Sequence, residues 1–186
     1  MLDCNPLSKK YQVISKRNTT NQNNLKNKVA KLIATSLGFG YAPVAPGTFG
    51  TLFGLICYIA LAFALDILDG GRTITMDYIL IGLILLFTWL GTWSAKELES
   101  EWGHDPGKIV MDETIGVWIT VLFIPFSWLN VLLALIVFRF FDILKPLGIR
   151  AIDEKLSSPF SVMLDDIVAG IYSAIALQAI IYYFVT

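Results

Sequence analysis

Apolar residues along this chain are gathered into long runs that short polar segments separate. Residues 49–65, 78–95 and 167–185 are three such runs. Each approaches the ~20 consecutive apolar residues that a helix needs to cross a bilayer. The pattern therefore predicts a membrane-spanning helix over each of these three segments.

The apolar run in the middle of the chain is harder to interpret, because residues 114–138 carry no charge but contain Pro125 and Asn130. Proline inside a helix removes a hydrogen bond and breaks or kinks the helix. We therefore predict two helices, at about 106–125 and 129–146, that each just cross the membrane and are joined by a tight turn. One long helix is the alternative.

The predicted turn contains two aromatic residues, Phe126 and Trp128, that suit the outer membrane interface. A hairpin would also return the charged residues on either side of the run to the same side of the membrane. Because paired charges are tolerated in a membrane far better than isolated ones, the hairpin is favoured over the single span.

The N-terminal part of the chain is polar and basic, with seven Lys or Arg and one acid in residues 1–31. Residues 1–24 are rich in Asn and Lys and predict a flexible tail, whose positive charge ahead of the first span predicts a cytoplasmic location. In residues 25–37, apolar side chains recur at helical spacing and lysines lie between them. This pattern predicts an amphipathic helix on the membrane surface, with packing against a soluble core as the alternative.

Composition agrees with a membrane protein. The 186 residues are 55% hydrophobic and 16% charged, whereas about 25% of the residues of soluble domains are charged. Cys4 and Cys57 offer neither a disulfide framework nor the spacing of a metal site. We predict an all-α fold, a membrane-embedded bundle of about five core helices plus the N-terminal interfacial helix, with residues 25–186 forming one domain.

Two pairs of adjacent carboxylates stand within or beside the apolar runs. Asp112 and Glu113 precede the middle run, and Asp165 and Asp166 precede the last one. Burying an unpaired charge in an apolar environment costs several kcal/mol, so something must compensate for these charges.

Helix-start signals predict where the two pairs lie. Asp105 and Ser158 have the character of N-caps, each followed by a proline that suits the first helical position. In both predicted helices the first Asp of the pair comes six residues after that proline, about 9 Å along the axis. Gly116 and Gly170 follow an Asp by four residues and would let the two parallel helices approach closely.

Four carboxylates at one level would repel one another unless a cation lay among them. Hard oxygen ligands suit Mg²⁺, so we predict a site for one or two ions formed by Asp112, Glu113, Asp165 and Asp166. The alternative is that each acid simply pairs with Arg139, Lys145 or Arg150.

Other polar residues could contact a phosphate. Arg139, Asp142 and Lys145 recur every three residues, which predicts a phosphate clamp or, alternatively, an interfacial ion pair with a lysine extended towards water. Thr48 lies in a Pro/Gly-rich loop at the start of the first span, where free backbone amides could bind a phosphate. His104 is the only histidine and is a candidate general acid or base.

Four motifs, "APGTFGTL", "HDPGKIVMDETIGVWI", "FRFFDILKPLGIRAID" and "MLDDIVAG", occur in this order between about residues 38 and 175. Together they resemble the phosphatidylglycerophosphatase A family. The resemblance implies a helical, Mg²⁺-dependent phosphatase that hydrolyses phosphatidylglycerophosphate to phosphatidylglycerol and inorganic phosphate in phospholipid biosynthesis. The family's polar positions fall here on Thr48, His104, Asp105, Asp112, Glu113, Arg139, Asp142, Lys145, Pro146, Asp165 and Asp166.

The resemblance also implies a multi-pass protein of a bacterial inner membrane, with its active site on the cytoplasmic side and no nucleic-acid partner. In this hypothesis the four paired carboxylates hold Mg²⁺, while Thr48, Arg139 and Lys145 bind the substrate phosphate. His104, Asp105 and Asp142 would be catalytic. The chain lacks the Cys and Arg six residues apart of cysteine phosphatases. A small transporter that uses buried acids as an ion relay is the alternative function.

Overall fold

A computed structural model describes residues 22–68, 71–103, 106–145 and 159–185. These residues contain no β-strand, and Gly71 and Phe126 form one isolated antiparallel bridge. The predicted all-α bundle is confirmed. Its elements are α1 (22–34), a 3₁₀ turn (Phe39–Tyr41), α2 (Pro46–Ala64), α3 (Ile74–Trp102), α4 (Met111–Thr120), α5 (Trp128–Leu144), α6 (Ser161–Ile180) and a π-helical turn (Ile181–Val185).

Three helices of the described chain are long and apolar enough to cross a membrane: α2, α3 and the segment Ser161–Tyr183. They correspond to the three runs that the sequence predicts. The five predicted core helices are α2 to α6, but the two helices of the middle run are short: α4 has 10 residues, too few to cross a membrane, and α5 has 17. At 1.5 Å per residue these two helices are only about 15 and 25 Å long, against a hydrocarbon core of ~30 Å.

Polar contacts at both ends keep α4 short. The predicted start at Pro106 is wrong, because the backbone N–H of Val110 donates to the carbonyl oxygen of Ala34 at 2.9 Å and the helix begins only at Met111. At the other end, Phe123 adopts a left-handed conformation with φ 64°. Its N–H donates to Asp77 at 3.0 Å instead of continuing the helix.

The break in the middle apolar run is confirmed, since α4 ends at Thr120 and α5 begins at Trp128. Ser127 caps α5 by accepting the backbone N–H of Asn130 at 3.0 Å. Phe126 does not lie at the membrane interface as predicted, because it is 1% exposed and its ring packs on Tyr58 in the core.

Glycines of α2 allow α4 to lie deep in the bundle. A Cβ on Gly50 would be 2.6 Å from the carbonyl oxygen of Val110, and a Cβ on Gly54 would be 2.6 Å from Val117. Because these side chains are absent, Trp118 can donate its indole N–H to the Gly54 carbonyl at 2.8 Å. The short helix is therefore buried on most sides.

The predicted close approach of two parallel helices is confirmed between α4 and α6. A Cβ on Gly170 would lie 2.6 Å from the carbonyl oxygen of Gly116, and a Cβ on Gly116 would lie 2.9 Å from the carbonyl oxygen of Asp166. Helix backbones come this close only where neither residue has a side chain.

The amphipathic N-terminal helix is confirmed, although it covers 22–34 rather than 25–37. Ala30 and Ala34 are fully buried against the last turns of α3, and Lys31 forms an ion pair with Glu101 of α3 at 2.5 Å. Leu25 and Leu32 stay exposed, which leaves an apolar stripe as an interfacial helix requires. Residues 1–21 of the predicted tail lie outside the described residues.

The contact between α4 and α6 can be tested by substitution. We expect Gly170→Ala to lower the free energy of unfolding by about 1–3 kcal/mol, because the new methyl group would overlap the backbone of Gly116. Gly82→Ala is the matched control, since nothing lies within 4 Å of a Cβ at that position on α3. Thermal unfolding of the detergent-solubilised proteins measures both, and equal stability would contradict the contact.

Candidate metal centre

Three carboxylates from two helices meet in the described structure. Asp112 and Glu113 lie in the first turn of α4, Asp166 lies in the second turn of α6, and one oxygen of each is within 4.8 Å of the others. Asp112 is 8% exposed and Asp166 is 4% exposed. This spacing could place all three oxygens around one ion.

The contact between α4 and α6 sets the level of these acids. Gly116 follows Asp112 by four residues and Gly170 follows Asp166 by four residues, which is about one helical turn. When the two glycines touch on parallel helices, the two aspartates are therefore brought to the same height. The helix starts predicted at Pro106 and Pro159 are wrong, so neither pair is about 9 Å deep from its helix start.

The remaining acids of the site pair with cations. Lys145 forms an ion pair with Asp165, and Arg139 pairs with Asp142 at 2.5 Å within α5. Lys145 lies just past the end of α5 in a left-handed conformation, with φ 41°. The alternative that each acid simply pairs with a basic residue therefore holds for Asp165 and Asp142.

Simple pairing does not account for the three clustered carboxylates. In the part of the chain that the structure describes, no Lys or Arg forms an ion pair with Asp112, Glu113 or Asp166. Burial raises the pKa of Asp112 well above its usual value, and the neighbouring Glu113 adds to that rise. Burial also raises the pKa of Glu113. A cation would reverse this penalty by stabilising the charged forms.

Buried atoms without partners support the fit of a cation at the acids and of an anion at Arg139. Oε2 of Glu113 and Nε of Arg139 are buried and make no hydrogen bond to any described residue. Buried polar groups normally have partners, so such atoms call for a ligand. Carboxylate oxygens are the ligands that Mg²⁺ prefers, which makes this donor set suitable for it.

A small polar cavity opens beside the carboxylates. Its volume is about 160 Å³, several times the ~30 Å³ that one water molecule occupies in the liquid. It is lined by Gly107, Ile109, Asp112, Glu113, Asp142, Lys145, Val162, Asp165 and Asp166. The structure therefore brings six of the ten predicted site residues around one cavity, and Arg139 reaches it through its pairing with Asp142.

A residue that was not among the predicted site residues lies directly against two of them. Gly47, in the first turn of α2, lies so close that a Cβ there would be 2.2 Å from Oε1 of Glu113 and 3.0 Å from Arg139. Thr48 is its neighbour and is half-buried. The only sequence signal for Gly47 is the Pro-Gly step at the start of the first span, because its role is to leave space.

Three residues implied by the resemblance, His104, Asp105 and Pro146, lie outside the described residues. Arg150, a possible partner of the acids, lies outside them as well.

Comparison with known proteins gives a consistent result. The sequence profile of a family described as phosphatidylglycerophosphatase A matches residues 32–181. The chain is 41% identical over 154 residues to the phosphatidylglycerophosphatase A of Haemophilus influenzae, covering 82% of this chain and 88% of the relative. It is 32% identical over 146 residues to that of Escherichia coli, covering 77% and 78%.

A third relative carries a different name. A Bacteroides thetaiotaomicron protein, provisionally named a phosphatidylinositol-3-phosphatase, is 43% identical over 150 residues, which cover 78% of this chain and 89% of the relative. No solved structure matches the chain.

The role of Gly47 as a space for Glu113 leads to a prediction on cation binding. We expect Gly47→Ala to weaken Mg²⁺ binding about 10-fold or more, because its methyl group would displace the Glu113 carboxylate. Gly82→Ala serves as the control and should bind as the unmodified protein does. Isothermal titration with Mg²⁺ measures both affinities, and unchanged affinity in Gly47→Ala would exclude Glu113 from the cation shell.

Proposed function

The chain belongs to the phosphatidylglycerophosphatase A family, and we propose that it hydrolyses the phosphomonoester of phosphatidylglycerophosphate to phosphatidylglycerol and inorganic phosphate in a Mg²⁺-dependent reaction. The observation that carries this proposal is the buried cluster of Asp112, Glu113 and Asp166 beside two cations. In metal-dependent hydrolysis of a phosphate ester, a hard metal ion and positive side chains act on the phosphoryl group at one place.

Asp112, Glu113 and Asp166 would hold the first Mg²⁺, and Asp165, which lines the same cavity, would contribute to it or to a second ion. When bound, such a cation polarises phosphoryl oxygens and makes a nearby water more acidic. The protein's own part is to keep the oxygens of this set within 4.8 Å of one another before the ion arrives. Such preorganisation avoids rearrangement at the moment of reaction.

Arg139 and Lys145 would neutralise the phosphoryl oxygens of the substrate. Arg139 offers a planar fork of donors from α5, next to Asp142, and Lys145 offers a compact charge just past the end of α5, where it lines the cavity. The α2 turn that contains Thr48 would supply a further polar contact to the phosphate. Asp142 pairs with Arg139 at 2.5 Å and would hold its guanidinium in place.

In the proposed reaction, the oxygen of water attacks phosphorus and the bond from phosphorus to the glycerol oxygen breaks. That glycerol oxygen must gain a proton as it leaves. His104, assisted by the adjacent Asp105, is our candidate donor on sequence grounds, because it is the only histidine and directly precedes the segment that leads to α4.

The topology supports a site on the cytoplasmic side of an inner membrane. α2 begins, α3 ends, α4 begins, α5 ends and α6 begins at the end of the bundle where the carboxylates lie. α1, which contains three lysines, lies at this same end, because Ala34 accepts the N–H of Val110 just before α4, and positive segments favour the cytoplasm.

The ion-relay alternative fits less well. A relay needs titratable groups spread through the membrane, whereas Asp112, Glu113 and Asp166 share one level. A different phosphorylated lipid is the more serious alternative, because the Bacteroides relative is named for phosphatidylinositol 3-phosphate. Both lipids carry a phosphomonoester on a polar headgroup that diacylglycerol anchors in the membrane, so the same site chemistry would serve either.

Loss of one carboxylate should abolish the activity. We expect Asp112→Asn and Asp166→Asn to lower Mg²⁺-dependent phosphate release from phosphatidylglycerophosphate at least 100-fold, because an amide binds Mg²⁺ far more weakly than a carboxylate does. Asp66→Asn is the control, since Asp66 is exposed in the turn after α2 at the other end of the bundle.

A phosphate-release assay, with and without a chelator, gives the readout. Near-normal activity in both variants would refute the metal assignment, and activity that survives chelation would refute metal dependence. If phosphate is released faster from phosphatidylinositol 3-phosphate than from phosphatidylglycerophosphate, the proposed substrate is wrong.

The geometry of Arg139 suggests a separate prediction. We expect Arg139→Lys to lower kcat about 10-fold or more and leave the protein folded, because lysine keeps the charge but loses the fork of donors. Arg72→Lys is the comparison, since Arg72 pairs with Asp77 far from the cavity. Steady-state kinetics on phosphatidylglycerophosphate measures the effect, and an unchanged kcat would remove Arg139 from the phosphate contacts.

A further inference from the structure

A second cavity of about 230 Å³ lies between α1, α2, α3 and α4, against Met111 and Trp118 of α4 and not against the carboxylates. Its walls are wholly apolar and include Phe53 and Cys57 of α2, Phe87 of α3 and Trp118 of α4. Protein interiors are close-packed and have few voids larger than a water molecule, so an opening of this size between four helices is uncommon. The proposed reaction does not use this cavity.

Water is a poor occupant of this cavity. A buried water needs two to four polar partners, and the one polar group of the Trp118 side chain already donates to the Gly54 carbonyl at 2.8 Å. Apolar cavities of this kind stay dry or bind apolar molecules. The chemistry of the walls therefore selects a hydrocarbon.

The position of the cavity relates it to the carboxylates. Met111 contributes to its wall and is the residue directly before Asp112, so the first turn of α4 borders both sites. Trp118 lies seven residues after Met111, about 10 Å further along the axis of α4. The wall of the cavity therefore follows α4 from the level of the acids to Trp118.

The cavity also has an apolar margin at the surface. Leu32 of α1 and Leu37 after it contribute to its wall and are 51% and 61% exposed. They belong to the apolar side of the predicted interfacial helix, where the hydrocarbon of a membrane lipid would arrive. The acyl chain of a lipid could therefore enter the cavity from the membrane without crossing a polar surface.

We propose that this cavity binds one acyl chain of the phosphorylated lipid substrate while its phosphate occupies the carboxylate site. The proposal rests on the proposed function for the identity of the lipid. The volume is below the 300–1,000 Å³ of pockets that enclose whole ligands, so it suits part of one chain and leaves the other chain in the bilayer.

Side chains that fill the cavity should lower the protein's preference for substrates with long acyl chains. Cys57→Phe and Leu83→Phe add a ring from the α2 and α3 walls. We expect each to lower the ratio of kcat/KM for dioleoyl over dibutyryl phosphatidylglycerophosphate at least fivefold, mainly through KM. Ile56→Phe is the matched control, because Ile56 neighbours Cys57 but is 54% exposed, and its ratio should stay unchanged.

A binding measurement covers the case in which the filled variants do not fold. In full-length Cys4→Ser protein, we expect dioleoyl phosphatidylglycerophosphate to slow alkylation of Cys57 by N-ethylmaleimide at least fivefold, as measured by mass spectrometry. Dioleoyl phosphatidylcholine should not slow it. Equal protection by both lipids, or by neither, would overturn the proposal.

The outcomes separate the two proposals. One outcome would overturn the acyl-chain site alone. In it, the unmodified protein releases phosphate, and folded Cys57→Phe and Leu83→Phe proteins keep the same ratio of kcat/KM for dioleoyl over dibutyryl substrate. Absence of phosphate release from any lipid by the unmodified protein would overturn the proposed function, while lipid-specific protection of Cys57 would still support the cavity as a lipid site.

Discussion

The close contact between α4 and α6 is the constraint on which the rest of the structure depends. Its centre is the pair Gly116 and Gly170, where a Cβ on Gly170 would lie 2.6 Å from the Gly116 carbonyl oxygen. Because an acid precedes each glycine by one turn, the contact that packs the helices also aligns Asp112 with Asp166. The same contact therefore packs the two helices and assembles the carboxylates.

Aligning buried acids has an energetic cost that the protein offsets only in part. Lys145 pairs with Asp165 and Arg139 pairs with Asp142, yet one oxygen of Glu113 is buried without a partner among the described residues. Like charges in a place of low dielectric constant repel strongly. The unmet negative charge next to two cations is the feature from which we propose that a divalent ion and a phosphate bind here together.

The short length of α4 keeps its acidic first turn at one end of the bundle. A helix of 10 residues cannot cross a membrane, so its acidic first turn stays at one end of the bundle while its last turn stops inside it. Asp77 of α3 holds that last turn by accepting the N–H of Phe123 at 3.0 Å. The same first turn borders the polar cavity through Asp112 and the apolar cavity through Met111, which is the arrangement on which the proposed acyl-chain site rests.

The sequence by itself determined the helical class, the three long apolar helices, the break near Pro125 and the set of acids and cations, because hydropathy, proline and charge act locally. It also indicated the contact between Gly116 and Gly170 through their spacing from the acids. It did not determine where α4 begins, because Val110 donates to Ala34, a residue 76 positions earlier. The burial of Phe126 against Tyr58, the space that Gly47 leaves for Glu113 and the apolar cavity were decided only by tertiary structure, since each depends on side chains that meet from distant parts of the chain.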